Sequence, residues 1–115
     1  MVAGRSPRLR RGAIYWVEFD PARGGEIRKR RPAIVVSNDA ANVAANRVQV
    51  VPTSSNVSRI HSWEAPVRVS GRPGKALADQ IRTVAKERLL DHIGDVTMAE
   101  MQGIERAIKL QLALT

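Results

Sequence analysis

Residues 31–55 read RPAIVVSNDAANVAANRVQVVPTSS, two short β-branched runs on either side of a polar, alanine-rich spacer. The first run, Ala33 to Ser37 (AIVVS), does not alternate with polar residues, so burial on both faces is expected. The second, Val48 to Thr53 (VQVVPT), carries Pro52 near its end and leads into the hydroxyl run Thr53, Ser54, Ser55. The stretch from Asn38 to Asn46 reads as a turn or a loose helical turn. Arg31 precedes Pro32, which biases its backbone toward an extended shape. If the two runs pair as neighbouring strands, an arginine and a hydroxyl meet at one end of the sheet. Alternation sends Thr53 and Ser54 to opposite faces, so only one of them serves a given site. An arginine beside a hydroxyl can hold a phosphodiester and stabilise the charge that develops on it during transfer.

Upstream, Ile14 to Phe19 (IYWVEF) is β-branched and aromatic between Gly12 and Asp20-Pro21, and reads as a strand. The segment Asp20 to Arg31 has Pro21, Gly24 and Gly25 and no periodicity; a loop that long in a small domain usually has a function. Downstream, Ser54 to Ser62 is polar and loop-like, and Trp63 to Val69 reads as a fourth strand with Pro66 marking an edge or a bulge. Ser70 to Gly74 is a turn, and Lys75 to Val84 reads as a fifth strand. Lys86 to Leu90 suits one helical turn. Thr97 and Glu100 have capping-box spacing and open a helix toward Leu114. Along it Met98, Met101, Ile104, Ile108 and Leu112 share one face, expected to pack on the sheet, with a dimer face as the alternative. Short strands followed by one closing helix predict a mainly β fold, a small, strongly bent barrel or sandwich.

The chain of 115 residues is the size of one domain and holds no cysteine, which removes disulfides and thiolate chemistry. His61 and His92 share no ligand-like spacing with other residues, so the sequence offers no zinc motif. No apolar stretch is long enough to span a membrane, and the basic first dozen residues lack the apolar centre of a signal peptide, so a cytoplasmic location is expected. The net charge is +8. Arg5, Arg8, Arg10 and Arg11 form one basic cluster, and Arg28, Lys29, Arg30 and Arg31 form another; the rest of the chain is neutral. Two basic clusters on a neutral body point to a local polyanion site, and arginine's planar fork suits phosphate. Residues 1–11 read as a flexible basic arm and 12–115 as a single domain. No nucleophile elbow and no P-loop occur. Four aromatic residues, Tyr15, Trp16, Phe19 and Trp63, are too few for the stacking platform of an RNA-recognition sheet.

Taken in order, several segments resemble the MazF/PemK family of toxin endoribonucleases. RRGAIYWVEFDPARGGE is similar to the family's opening "rG-iw-vdldp--GsE", and KRRPAIVVSND to its "RPavVvSnd" strand. VVPTSSN resembles "vvPvTsn", ALADQIRTVAKERL resembles "a-adQirtid--Rl", and IGDVTMAEMQGIERAIKLQLAL resembles the closing "iG-ls-eel--v--al---l". The resemblance runs from Arg11 to Leu114. It implies a small SH3-like β-barrel of the CcdB/MazF type with a C-terminal helix, assembled as a homodimer. It also implies cofactor-free, metal-independent, sequence-selective cleavage of single-stranded RNA, chiefly messenger RNA, and an antitoxin partner with an acidic tail.

On the same resemblance, Arg31 is the family's arginine before proline, and Ser54 stands where the usual residue is threonine. The hydroxyl is kept, but the methyl that restricts its rotamer is lost. Glu26 is the glutamate of the Gly-Ser-Glu pattern, with Gly25 in place of the serine, and Gln80 is the glutamine expected near RNA. Arg31, Ser54 and Glu26 are thus the candidate catalytic residues. Arg28, Lys29, Arg30, Thr53, Ser55, Asn56 and Gln80 are the candidate RNA contacts. The base that takes the proton of the attacking 2′-hydroxyl is open, since a guanidinium is a poor base; Glu26 and His61 are both in range of the argument. Two rivals remain at this stage: a gyrase-type protein poison on the same barrel, and a basic RNA-binding module without turnover.

Overall fold

The computed structural model describes residues 9–19 and 30–115. Within them lie β1 (Ala13–Glu18), β2 (Arg30–Val35), α1 (Asp39–Ala44), β3 (Arg47–Ser54), β4 (Glu64–Val69), β5 (Arg72–Leu77), β6 (Arg82–Ala85), β7 (Leu89–Asp95) and α2 (Met98–Gln111). A 3-10 turn, Ala78–Gln80, separates β5 from β6, and another, Lys86–Arg88, separates β6 from β7. The strands run in the order β4-β5-β3-β2-β1-β7, with β6 also paired to β3, and every pairing is antiparallel. The result is a curled half-barrel with α2 packed on β4 and on the Ala78–Gln80 turn.

β2 is buried on both faces, as its unbroken apolar run predicts. Ile34 and Val36 enter one core cluster with Val51, Ala65 and Ile104, while Ala33 and Val35 enter a second with Tyr15, Val17 and Val48. The spacer after β2 forms α1 because Asn38 caps it, accepting a hydrogen bond from the Ala41 amide at 2.8 Å.

Three sequence expectations between 70 and 90 need correction. The turn expected over 70–74 is only Ser70 and Gly71, because Arg72 pairs with Val69 and starts β5. The expected single strand over 75–84 is two strands, because the chain turns a corner at Ala78–Gln80 and changes position along β3. The helical turn expected over 86–90 is only the short 3-10 turn Lys86–Arg88, and Leu89 starts a strand. β7 escaped the pattern because its pairing with β1 slips twice, between Ile14 and Tyr15 and between Tyr15 and Val17. Those irregularities erase the simple alternation by which a strand is recognised.

Of the arm expected over 1–11, residues 1–8 lie outside the described residues, and Leu9 and Arg11 are tied into the domain. Leu9 packs against the second core cluster, and Arg11 is tied to three elements. Its amide donates to Asp39 Oδ1 at 2.7 Å, its Nε to the Val36 carbonyl at 2.9 Å, and its Nη1 pairs with Glu105 Oε2 at 2.8 Å. Arg11 therefore fastens α1, the end of β2 and α2 to one another, and is not part of a free polyanion surface.

The capping box at α2 is present. Thr97 Oγ1 accepts from the Glu100 amide at 3.0 Å, and Glu100 Oε1 accepts from the Thr97 amide at 2.8 Å. Glu100 Oε2 also accepts the Arg68 amide at 2.8 Å, which satisfies a donor on the edge strand β4. The apolar stripe of α2 serves the core only in its middle: Ile104 is buried, Met101 and Ile108 pack against the cluster, but Met98 is 82% exposed. Ile104→Ala should therefore cost about 2–5 kcal/mol, whereas Met98→Ala should stay within about 0.5 kcal/mol, both read from urea denaturation. Equal losses from the two changes would contradict this division of the stripe.

Candidate nucleic-acid cleft

β2 and β3 pair with Ala33 opposite Pro52 and Ile34 opposite Val51. Continuing that register outward sets Arg31 opposite Ser54, and directly opposed residues share a face of the sheet. Arg31 belongs to β2 itself, not to the loop before it, so its backbone is held by pairing with Val17 of β1. Its Nη1 lies 3.5 Å from the Thr53 carbonyl. Thr53 faces the other way. It is only 4% exposed, and its hydroxyl donates to the Pro32 carbonyl at 2.8 Å. Of the two hydroxyls, that of Thr53 is spent within the sheet, while that of Ser54 borders the cleft. Ser54 Oγ accepts the Asn56 amide at 3.1 Å, which leaves its own proton to donate.

These residues border a cleft of about 480 Å³ lined by Trp16 of β1, Arg30, Arg31 and Pro32 of β2, Thr53 and Ser54 of β3, Ser55, and the β4–β5 hairpin from Val69 to Gly74 without Gly71. Ile93 of β7 completes the lining. Trp16 is 39% exposed, an aromatic surface on the wall, while its neighbours Tyr15 and Val17 point into the core. Arg30 reaches Glu18 only at 3.8 Å and keeps most of its side chain in solvent. Among the described residues of the lining the charged groups are all arginines, and neither a carboxylate nor an imidazole is present. The cleft thus presents guanidinium forks, hydroxyls and one aromatic ring, a combination suited to a single-stranded polyanion with bases.

Other predicted positions fall elsewhere. Glu26, Arg28 and Lys29 lie outside the described residues. Asn56 sits just past the wall, where its Oδ1 accepts from the amide and hydroxyl of Ser58. Gln80 is exposed on the 3-10 turn between β5 and β6 and does not line the cleft. His61 is not on the wall either; its ring stacks on Trp63 with centroids 4.4 Å apart. His92 lies in β7 against Tyr15, 3.4 Å from Asp95. Burial, helped by Asp95, raises the Tyr15 pKa, so that phenol stays neutral beneath the sheet.

Sequence reasoning missed Trp16, Ser70, Arg72 and Ile93 as cleft residues. Trp16 had a signal, since alternation in IYWVEF sets it apart from Tyr15 and Val17. The hairpin residues had none, because nothing in a turn sequence says which strand ends it will approach.

The loop after Ser54 is fastened at its far end. Glu64 Oε1 accepts the His61 amide at 2.8 Å and pairs with Lys75 Nζ at 3.1 Å, and Lys75 Nζ also donates to the Arg59 carbonyl at 2.8 Å. Burial by itself would raise the Glu64 pKa, but the His61 amide and the Lys75 ammonium outweigh it and hold the carboxyl below its ordinary value. Lys75 is also the register partner of Ser54, so this pair ties the loop to the strand that carries the hydroxyl.

With the geometry in place, comparison with known proteins becomes informative. The profile of the PemK-like, MazF-like toxins of type II toxin–antitoxin systems matches residues 10–112. This chain belongs to that family. Among curated MazF proteins, Endoribonuclease MazF9 of Mycobacterium tuberculosis is 43% identical over 92% of this chain and 98% of its own. The endoribonuclease toxin MazF of Escherichia coli K12 is 33% identical over 86% of this chain and 89% of its own. Among solved structures, an endoribonuclease in complex with its cognate antitoxin from a mycobacterial species superposes with a TM-score of 0.78 at 27% identity, covering 94% of this chain and 98% of that one. The MazF-type half-barrel and closing helix are therefore shared with structures of the family. Among the described residues no helix is long and apolar enough to cross a membrane.

Because the folded Glu64 carboxyl is more acidic than in the unfolded chain, its contribution to stability is present above the ordinary carboxylate range and is lost as pH falls through the lowered value. Glu64→Gln should therefore be less stable than the parent at neutral pH, with the gap narrowing in acid. Urea titrations of both proteins at several pH values check this; a gap independent of pH would show that the charge contributes nothing.

Proposed function

We propose that this chain is the endoribonuclease toxin of a type II toxin–antitoxin system, and that it cuts single-stranded RNA at the Arg31–Ser54 end of the cleft. What supports the reading is that Arg31 and Ser54 both line an arginine-bordered cleft, at the end of the β2–β3 pairing whose register, continued two residues past Ala33 and Pro52, sets them opposite each other. Messenger RNA is the substrate class, and the cytoplasm is where such an enzyme meets it. The enzyme acts as a homodimer. Its protein partner is an antitoxin of the MazE type, whose acidic tail competes with RNA for the same arginines. Residues 12–115 form the toxin domain, with Leu9, Arg10 and Arg11 leading into it.

The chemistry follows from the groups present. The RNA's own 2′-oxygen attacks the adjacent phosphorus as its proton passes to a base. The bond from phosphorus to the 5′-oxygen breaks, and that oxygen takes a proton from solvent. The products are a 2′,3′-cyclic phosphate and a 5′-hydroxyl. Arg31 clamps the phosphate and offsets the extra negative charge of the pentavalent state, while Ser54 donates to a non-bridging oxygen. Intramolecular attack needs no metal-activated water. The proposed base is Glu26, in the sequence between β1 and β2; the described walls of the cleft carry neither carboxylate nor imidazole, and His61 is not among their lining residues. Ser54 turns more freely about its Cα–Cβ bond than a threonine would, so it is a looser donor.

The test is digestion of a long single-stranded RNA in excess EDTA, with an all-DNA copy alongside. Wild type should give discrete cuts with cyclic phosphate ends and leave DNA intact. Arg31→Ala should lower kcat by about 10²–10³-fold, Ser54→Ala should be impaired less, and Ser54→Thr should be at least as active as the parent. Binding without turnover would remove the nuclease reading in favour of a non-catalytic RNA-binding module, and neither binding nor cutting would favour a protein poison.

A further inference from the structure

The wall opposite Arg31 is the β4–β5 hairpin, and it carries an arginine that has no structural employment. Arg72 is exposed and lines the cleft, and its side chain makes no hydrogen bond or ion pair with the described residues. Its neighbour Arg68 differs, since its Nη1 donates to the Gly71 carbonyl at 2.7 Å and braces the turn. The turn itself is tight. Val69 pairs with Arg72, and the two residues between them, Ser70 (φ 52°) and Gly71 (φ 78°), are both left-handed, as in a type I′ hairpin. A serine in that conformation is uncommon and persists because the pairing on either side fixes it.

The hairpin is also fixed relative to Ser54. Lys75 of β5 is opposite Ser54, and a Cβ on Gly74 would stand only 3.2 Å from the Ser54 carbonyl, so the bare glycine is what allows this approach. Arg72 therefore begins about 10 Å along β5 from the partner of Ser54, three residues at the strand rise. Three residues along a strand also reverse the face, so Arg72 stands on the other side of β5 from Lys75 and Ser54 and meets the cleft at its own point of the lining, without sharing the phosphate held by Arg31 and Ser54. That offset suits the next link of a chain of phosphates running along the cleft.

We propose that Arg72 binds the RNA phosphate adjacent to the scissile one, so that the cleft grips two consecutive phosphates, one from β2–β3 and one from the β4–β5 hairpin. This rests on the RNA reading above. Arg72 is a substrate-binding residue and takes no part in bond breaking, so its loss falls on KM more than on kcat, the reverse of Arg31. Losing one phosphate contact on a single strand lowers the slope of log affinity against log salt by about 0.7.

The experiment measures KM, kcat and the salt slope of wild type, Arg72→Gln and Arg72→Lys. The substrate is a short chimeric oligonucleotide, cut at one site, with each phosphate beside the scissile one replaced in turn by a neutral methylphosphonate. Arg72→Gln should raise KM about tenfold, in the range of one charged hydrogen bond, and flatten the salt slope, while Arg72→Lys restores the slope. One of the two neighbouring methylphosphonates should penalise wild type by a similar factor and add nothing in Arg72→Gln. Wild-type cutting with an unchanged KM and slope in Arg72→Gln, or with the methylphosphonate penalty intact in that variant, overturns this inference alone. Wild type that neither binds nor cuts RNA overturns the RNA reading and this inference with it.

Discussion

β3 is hydrogen-bonded to three strands, and the rest of the molecule is arranged by that fact. One of its edges pairs with β2; the other is divided, Arg47 to Val50 pairing with β6 and Thr53 and Ser54 with β5. The division falls at Val51 and Pro52, where proline has no amide hydrogen to extend a ladder. The segment returning along that edge must therefore break, and the Ala78–Gln80 turn is the break. This corner curls the sheet. It swings β4 and β5 to one side, where α2 covers the free edge, and it leaves the mouth of β2–β3 open. The cleft is the space so created, bordered by the last residues of β3 and the hairpin that pairs with them.

Charge is distributed with the same economy. Arg11, which sequence position groups with the basic arm, is held within the scaffold by Asp39, Val36 and Glu105. Arg68 is likewise used to brace a turn. Among the described residues, the arginines that line the cleft are Arg30, Arg31 and Arg72, drawn from two separate sheet regions. Their field needs no opposing carboxylate on the described walls, so an anionic ligand is the natural counter-charge.

Most of the fold was legible in residues 31–55. A non-alternating AIVVS has to be covered on both faces, and the structure covers it with two separate clusters. Thr97 and Glu100 announce α2 because a capping box satisfies donors that any helix start leaves open. β7 was not legible, because bulged pairing removes the alternation, and neither was the corner at Ala78–Gln80, because ALADQIR does not by itself distinguish one strand from two. Within the cleft, the meeting of Arg31, just before Pro32, with a hydroxyl just after Pro52 could be read from adjacent strands, but alternation alone did not say which hydroxyl. The sequence did not show that one aromatic ring, Trp16, lines the cleft while its neighbours are buried.

By itself, then, the sequence determined the β-rich class, the two-faced burial of β2, the helix cap, the excess of arginine and the alternation that lets only one of Thr53 and Ser54 face a given site. These follow from local rules of burial, backbone restriction and two-residue periodicity. Tertiary structure alone decided which arginines are available to a ligand and which hold the protein together, and it alone brought Arg72 to the cleft. Arg11, Arg68 and Arg72 are chemically identical, and what separates them is whether a carboxylate or carbonyl stands within reach, a matter of how distant strands and helices pack.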